Sequence, residues 1–303
     1  MMKKRRMIEV PGTSLRFPET LICGFPGGER VTVTAGVHSR EYVGIRAMAK
    51  LAQSIKEADI RGSLRLIHAL NYDGFIRRSA DVFPADGKNL NRVFPGDKDG
   101  SETQRLAAFL ESEVINTSDF IIDLHSGGFC EYLTPHVYFQ SSASEEVCRA
   151  SRELSSYADV GYAVKSKTVN GFYGHAGRCG VPAILIERGG CGLWSEAEAD
   201  AACADVLNIL RFLGVLWDDT PAVKRSPRYL DGGVYLDAPV SGCWHPLKAV
   251  GESFVQGERL GELRDIYGEL QDEVVADENG VLLYQTASLG IEKGTPMIAW
   301  GKL

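Results

Sequence analysis

The sequence has no apolar run that approaches the roughly 18 residues of a membrane-spanning helix. It also has no Cys-x-x-Cys pair, and its seven cysteines are scattered, which is typical of free thiols in a reducing compartment. Residues 1–7 are basic but are followed by no apolar segment of a signal peptide, so we interpret them as a frayed tail. These absences favour a cytoplasmic protein without a membrane partner.

Positive charge is in deficit as well. The chain has 33 Lys and Arg residues against 40 Asp and Glu residues, which gives a formal net charge of -7. No long basic stripe is present, so nucleic acid is not an expected partner. With 303 residues, of which 44% are hydrophobic, the chain can bury a sizeable core in one large domain or two smaller ones.

Strand-like and helix-like segments alternate over the first two thirds of the chain. The predicted strands are residues 31–37, 63–70, 120–124, 136–139 and 182–186. The predicted helices are residues 42–58, 102–114, 145–157 and 196–216. This alternation predicts an α/β sheet with helices on both faces, whose ligand sites lie beyond the carboxyl ends of the strands.

The pattern changes near residue 222. Beyond it, short segments are broken by many glycines and no convincing helix follows. We therefore predict a catalytic domain over residues 1–221 and a small all-β domain, sandwich-like or barrel-like, over residues 222–303.

Three residues at the ends of predicted strands suit a metal ion. His38 and Glu41 follow the first strong strand, and His125 directly follows the strand 120–124. Two imidazoles and a carboxylate, with water as a fourth ligand, are typical of catalytic zinc sites. Taken singly, His38 and Glu41 are also compatible with a solvated pair and His125 with a loop histidine. Asp123 lies two residues before His125 and could orient it.

Glu187 ends the strand 182–186 and is followed by Arg188 and two glycines. A carboxylate beside a metal-activated water can take its proton and pass it to a leaving amine. The alternative for Glu187 is an ion pair with Arg188 or another arginine.

A long segment over residues 72–100 offers arginines for substrate binding, and its length itself indicates function. Arg92, helped by Asn91, can hold a carboxylate in a bidentate way. Arg77 or Arg78 could polarise the scissile carbonyl, and the sequence does not decide between them. Surface ion pairs are the alternative for each arginine.

Five segments together resemble one known group of enzymes. They are residues 36–41 (Gly-Val-His-Ser-Arg-Glu), 71–75 (Asn-Tyr-Asp-Gly-Phe), 89–92 (Asn-Leu-Asn-Arg), 123–128 (Asp-Leu-His-Ser-Gly-Gly) and 186–190 (Ile-Glu-Arg-Gly-Gly). In this order they resemble the zinc carboxypeptidase superfamily. Within it the chain is most similar to the succinylglutamate desuccinylase/aspartoacylase branch, because only 87 positions separate the two histidines and a glycine-rich β domain follows.

The resemblance implies the mixed, mostly parallel sheet of that superfamily and one Zn²⁺ per chain, bound by His38, Glu41 and His125. It implies Glu187 as general base and acid. It further implies that Asn91 and Arg92 bind the substrate's carboxylate, and that Arg77 or Arg78 steadies the oxyanion. Ser39 stands where glycine is common in the first segment, and the role of Arg178, near the catalytic-base strand, stays open.

The expected reaction is hydrolysis of an amide bond in a small N-acyl amino acid. Two alternatives stay open: a metallocarboxypeptidase that acts on peptide C-termini, and a metal- or ligand-binding protein without catalysis. The motifs give neither the acyl group nor the amino acid of the substrate. A homo-oligomer is compatible with the sequence, which does not give the oligomeric state.

Overall fold

The computed structural model describes residues 1–79 and 81–303. The strands up to residue 230 are β1 (Met2–Glu9), β2 (Arg16–Cys23), β3 (Phe25–Ala35), β4 (Arg61–Ile67), β5 (Phe120–His125), β6 (Glu131–Leu133), β7 (His136–Gln140), β8 (Tyr162–Ser166), β9 (Ala183–Glu187) and β10 (Arg228–Leu230). The helices are α1 (Tyr42–Ser54), α2 (Tyr72–Arg77), α3 (Glu102–Glu113), α4 (Glu145–Ser155), α5 (Phe172–Arg178) and α6 (Glu196–Phe212). Among the described residues, no helix is long and apolar enough to cross a membrane.

One large mixed sheet organises this part of the molecule. In the described chain it has nine strands in the order β1-β2-β4-β3-β5-β9-β7-β8-β10. The central strands β4, β3, β5 and β9 run parallel to one another, whereas β2 and β7 are antiparallel to their neighbours β4 and β9. The predicted mixed, mostly parallel sheet is therefore confirmed.

Helices cover both faces of this sheet, as predicted. One apolar cluster joins the central strands to α1 and α6, through residues that include Ala47, Leu51, Val206 and Ile209. A second cluster on the opposite face joins the sheet to α3 and α5, through residues that include Leu106, Leu110, Phe172 and Ala176. Strands buried on both faces read as nearly continuous apolar runs, which is why β5 and β9 are recognisable in the sequence, whereas β3 is recognisable by the β-branched Val and Thr residues of its buried half.

All four predicted helices end earlier in the structure, α3 and α4 by only one or two residues and α1 and α6 by four. Helix α1 ends at Ser54 rather than at residue 58, because Lys56 is extended and a short 3-10 turn follows at Glu57–Asp59. Helix α6 ends at Phe212 rather than at residue 216, because Gly214 adopts a left-handed conformation with φ 66° and turns the chain away.

The interpretation of the N-terminus as a frayed tail is wrong. Residues Met2–Glu9 form β1 and pair with β2 along their whole length. The Lys3 ammonium donates a hydrogen bond of 2.6 Å to the carbonyl of Ile55, and Arg6 pairs with the buried Glu19 at 2.8 Å. β1 forms an edge of the sheet, where exposed basic side chains are ordinary.

The C-terminal part is all-β, as predicted. Its strands are β11 (Gly233–Asp237), β12 (Gly242–Pro246), β13 (Ser253–Phe254), β14 (Arg259–Arg264), β15 (Leu270–Val275), β16 (Gly280–Thr286), β17 (Gly290–Ile291) and β18 (Pro296–Lys302). One antiparallel sheet has the order β11-β18-β16-β13 and a second has the order β15-β14-β12-β17. Large apolar side chains, among them Trp244, Phe254, Leu263 and Trp300, are buried together in one cluster.

Two strands cross the division that the sequence predicts at residue 222. β10 lies beyond it, yet pairs in parallel with β8 and so extends the large sheet. β6 lies well before it, yet pairs with β16 of a C-terminal sheet through Tyr132, Leu133 and their partners Gln285 and Tyr284. Each part of the molecule therefore contains a strand that the other part of the chain supplies.

Candidate metal and catalytic site

The ends of three neighbouring parallel strands place the candidate residues at one edge of the sheet. β3 ends at Ala35, three positions before His38, and β5 ends at His125. β9 ends at Glu187, which is the register partner of His125. Parallel strands bring their carboxyl ends to the same edge, so the fold itself gathers the histidines and the carboxylate.

The Glu41 carboxylate lies between the two imidazoles. Its Oε1 is 2.6 Å from His38 Nδ1 and its Oε2 is 2.9 Å from His125 Nδ1. One ligand atom from each of the three side chains lies within 4.8 Å of the others. Glu41 is buried and precedes α1 with a non-helical backbone, so it is not part of a solvated pair on a helix.

A hydrogen-bond acceptor lies next to the Nε2 atom of each imidazole, on the side of the ring away from Glu41. His125 Nε2 is 3.1 Å from Asp123 Oδ2, and Thr34 donates a 2.6 Å hydrogen bond to Asp123 Oδ1. His38 Nε2 is 3.3 Å from Asn89 Oδ1. An acceptor at Nε2 favours the tautomer with its proton there, which leaves Nδ1 free to bind a cation.

The electrostatics of this site favour positive charge between the three side chains. Burial alone would raise the pKa of Glu41, but the imidazoles of His125 and His38 lower it to about 2. Burial alone would lower the pKa of His125, but the carboxylates of Glu41 and Asp123 raise it well above its ordinary value. A divalent cation would provide the charge that two imidazolium protons otherwise supply, and two imidazoles with one carboxylate are a donor set that fits zinc.

Glu187 lies next to this cluster with one oxygen unsatisfied. Its Oε2 is buried and has no hydrogen-bond partner among the described residues. Burial raises the pKa of Glu187, His125 opposes this rise, and the Glu41 and Glu131 carboxylates add to it, so that the pKa lies at about 8. A carboxyl group whose pKa lies near neutrality can both accept and donate a proton.

The alternative of an ion pair with Arg188 does not occur. The Arg188 guanidinium donates to Asp205 Oδ2 at 2.6 Å and to the carbonyl of Asp159 at 2.6 Å. This buried pair ties the end of β9 to α6 and leaves Glu187 to the candidate metal site.

Two further carboxylates lie near the site, and the sequence did not predict either of them as a site residue. Glu131 accepts a hydrogen bond of 2.8 Å from the Gly128 amide, and Asp81 Oδ1 is buried without a partner among the described residues. Burial raises the pKa of both groups, and the Glu41 carboxylate adds to the effect. Both residues lie in irregular chain or in a three-residue strand, where periodicity gives no signal.

Asn91 and Arg92 belong to a 3-10 turn at Leu90–Arg92. The Asn89 side chain, which also contacts His38, caps this turn by accepting from the Asn91 amide at 2.8 Å. Asn91 is buried, and its Oδ1 accepts from the Phe172 amide at the start of α5. Sequence reasoning assigned no role to Asn89, although its spacing of two from Asn91 is the pattern of an Asx turn.

Arg92 is exposed and lines a cavity of about 360 Å³. The other lining residues include Asn91, Tyr138, Tyr173 and Tyr235. The Tyr235 hydroxyl donates a 3.0 Å hydrogen bond to the Tyr138 hydroxyl. Since Tyr235 lies on β11, the C-terminal part of the molecule supplies one wall of this cavity.

Arg77 and Arg78 lie at the end of α2 and are both exposed. Together with Arg40 and Phe129 they line a different cavity of about 420 Å³. His38, His125, Glu41 and Glu187 are not among its lining residues. The structure thus brings His38, Glu41, His125 and Glu187 together, and none of these four lines either this cavity or the cavity that Arg92 lines. Arg178, the last residue of α5, is exposed.

Comparison with known proteins places this geometry in a family. The model of the succinylglutamate desuccinylase/aspartoacylase catalytic domain matches residues 27–213. A curated relative, the N-α-acetyl-L-2,4-diaminobutyric acid deacetylase of Halomonas elongata, is 25% identical over 88% of this chain and 80% of its own length.

Solved structures have the same fold. The product-bound ectoine utilization protein EutE (DoeB) of Ruegeria pomeroyi superposes with a TM-score of 0.86 and 23% identity, over 95% of this chain and 89% of that one. A succinylglutamate desuccinylase/aspartoacylase from Rhodobacter sphaeroides gives a TM-score of 0.83 and 24% identity over the same shares. Because the family model covers more than half of the chain, the chain belongs to the succinylglutamate desuccinylase/aspartoacylase family.

Proposed function

We propose that this protein is a zinc-dependent hydrolase that removes the acyl group from a small N-acyl amino acid. The observation that carries the proposal is the convergence of His38 Nδ1 and His125 Nδ1 on the Glu41 carboxylate, beside the buried, unpartnered Oε2 of Glu187. Membership in the family and the name of the Halomonas deacetylase support an N-acyl amino acid as the substrate class.

In this proposal His38, Glu41 and His125 hold one Zn²⁺ per chain. When bound, the ion would supply Lewis-acid chemistry to the scissile carbonyl and to the attacking water. Asp123 and Asn89 act on the ligands rather than on the substrate, because they fix the orientation of the two imidazole rings.

Glu187 moves the proton in the proposed reaction. As a carboxylate it takes a proton from the attacking water, and as a carboxylic acid it delivers that proton to the leaving amine nitrogen. The pKa of about 8 that burial gives it in the metal-free protein keeps it protonated at neutral pH. A neighbouring divalent cation would lower this pKa and prepare the group to act as a base.

Arg92 binds the carboxylate of the amino acid in the proposed complex, and Asn91 positions Arg92 by fixing the turn and the start of α5. We also propose that one of Arg77 and Arg78 steadies the oxyanion, after movement of its side chain from the neighbouring opening toward the metal. The cavity of about 360 Å³ suits a small ligand, and Tyr235 narrows it from the C-terminal side. This wall favours a small amide over the C-terminus of a long peptide.

We propose a cytoplasmic location. All seven cysteines are free in the described chain, which agrees with a reducing compartment.

The test combines metal analysis with a substrate panel. The purified protein should contain zinc, and it should hydrolyse at least one of a panel of N-acetyl, N-succinyl and N-formyl amino acids. The Glu187→Gln variant should retain the zinc but lose turnover by about 10²–10⁴-fold, the contribution expected of a general acid–base group. Glu146→Gln, on the exposed side of α4, is the matched control and should retain activity.

Three other outcomes of these experiments would contradict parts of the proposal. Full activity in Glu187→Gln would refute the assignment of the base. Faster release of C-terminal residues from peptides than of acyl groups from amino acids would favour the carboxypeptidase alternative. Zinc binding with no hydrolysis of any amide would favour a binding protein without catalysis.

A further inference from the structure

A second group of metal-ligand side chains lies outside the site described above, between α3 and α5. Glu111 lies in the last turn of α3, and His175 and Cys179 are four positions apart on α5 and its cap. His175 Nε2 is 2.5 Å from Glu111 Oε2 and 3.5 Å from Cys179 Sγ. One ligand atom from each of the three lies within 4.8 Å of the others, as in the cluster of His38, Glu41 and His125.

The geometry differs from a nucleophile–base–acid relay. In such a relay the thiol and the carboxylate bind opposite nitrogens of the imidazole. Here Glu111 and Cys179 both approach Nε2, while Nδ1 of His175 is buried and has no hydrogen-bond partner in the described chain. A single proton on Nε2 cannot form a good hydrogen bond to both Glu111 and Cys179. A cation between His175 Nε2, Glu111 Oε2 and Cys179 Sγ would bind all three atoms.

The surroundings suit a bound ion. His175 is 5% exposed, and its ring is stacked against Phe94 with centroids 5.5 Å apart, so its position is fixed. Glu111 and Cys179 are partly exposed, which gives an ion a path from solvent. A thiolate and a carboxylate would balance a divalent charge, and sulfur with imidazole selects zinc over magnesium or calcium.

We propose that Glu111, His175 and Cys179 form a second divalent-metal site, which takes Zn²⁺ and fastens α5 to α3. It is independent of the proposed hydrolase function, because none of the three side chains belongs to the first cluster. Its consequence concerns the substrate cavity. The opposite end of α5 is held by Asn91, and Tyr173 of this helix lines the cavity, so a metal at Cys179 would stiffen the cavity wall.

Cobalt tests the two sites separately, because only the second contains a thiolate. We expect Co²⁺ added to the metal-free full chain to bind at two equivalents and to give a thiolate-to-cobalt charge-transfer absorption. A His38→Ala variant should bind one equivalent and keep this absorption. Cys179→Ser should also bind one equivalent but lose the absorption, whereas the control Cys148→Ser, at another partly buried free thiol, should behave like the unmodified chain.

Circular dichroism would verify the folding of each variant. A second variant, Glu111→Gln, changes the proposed site but keeps the Cys179 thiol. It should weaken cobalt binding at the second site at least tenfold, with no change at the first. A single equivalent of cobalt in the unmodified protein without thiolate absorption, or absorption that persists in Cys179→Ser, would overturn the proposal. Loss of the first site alone would leave the thiolate absorption intact, so failure of the proposed function and failure of this inference are distinguishable.

Discussion

Replacing Glu187 by glutamine should stabilise the metal-free protein at neutral and alkaline pH. In the folded chain, burial holds the pKa of Glu187 at about 8, against an ordinary value of 4.5. The unfolded chain loses this proton near pH 4.5 and the folded chain near pH 8. Between these values the folded state binds the extra proton, so the stability of the unmodified protein falls as the pH rises.

The magnitude follows from the same two values. Each pKa unit corresponds to about 1.36 kcal/mol, so ionised Glu187 costs the folded, metal-free protein on the order of 5 kcal/mol above pH 8. At pH 7 the cost is roughly 3 kcal/mol, since the proton is still mostly bound to the folded state. Glutamine has the same shape without the charge, and it avoids this cost. The gain would raise the melting temperature by roughly 10 °C or more at high pH.

The assay is urea unfolding of the metal-free chain in the presence of a chelator, at several pH values from 5 to 9. The difference in unfolding free energy between Glu187→Gln and the unmodified protein should be below about 1 kcal/mol at pH 5 and should grow up to about pH 8. Glu146→Gln, in which an exposed carboxylate is changed, should show no such growth. Excess zinc should reduce the difference, because a cation beside Glu187 favours its ionised form.

Curves that stay parallel from pH 5 to pH 9 would refute the reasoning, since they would mean that Glu187 titrates alike in the folded and unfolded chains. A pH-dependent difference that excess zinc does not change would place Glu187 away from the ion. It would then leave the proposed proton transfer without support.

Three further changes probe the parts around this group. Arg92→Ala should raise KM by roughly 10–100-fold with a smaller effect on kcat, since a charge-assisted contact contributes about 1.5–3 kcal/mol to binding, and steady-state kinetics would measure both; an unchanged KM would exclude Arg92 from substrate binding. Asp123→Asn should weaken zinc binding by about 10–100-fold in competition with a chelator, and unaltered affinity would show that its contact with the ligand imidazole has no role. Asp205→Ala leaves the buried Arg188 unpaired and should lower the unfolding free energy by about 3–5 kcal/mol, whereas Asp231→Ala, at an exposed pair, should change it little; equal effects in urea unfolding would contradict this.

The sequence predicts the centre of the molecule better than its margins. β5 and β9 are short and mostly apolar, and the buried end of β3 is a β-branched run of Val and Thr. His125 and Glu187 end β5 and β9, so one rule about strand ends locates the candidate site. The edge strand β1 has no such run, because its side chains are mostly exposed and basic, and it was therefore missed.

The surroundings of the site depend on contacts that no local pattern encodes. Asp81 lies in irregular chain and Glu131 in the short strand β6, and their raised pKa values arise from burial that only the folded structure creates. Tyr235 reaches the cavity lined by Arg92 from β11, far along the chain from Tyr138. Glu111 and His175 are separated by 64 positions and meet only because α3 and α5 cover the same face of the sheet.

β6 and β10 each pair with a strand from the other part of the chain, and this affects how the protein responds to backbone cleavage and how it unfolds. Cleavage of the backbone near residue 222 would leave the first fragment with a strand that needs β16, and the second fragment with a strand that needs β8. The two fragments would thus carry complementary unpaired edges, and we expect them to recombine without a covalent link rather than separate. In the intact chain, the same strand pairing between the two parts predicts a single cooperative melting transition, in which the N-terminal and C-terminal parts unfold together.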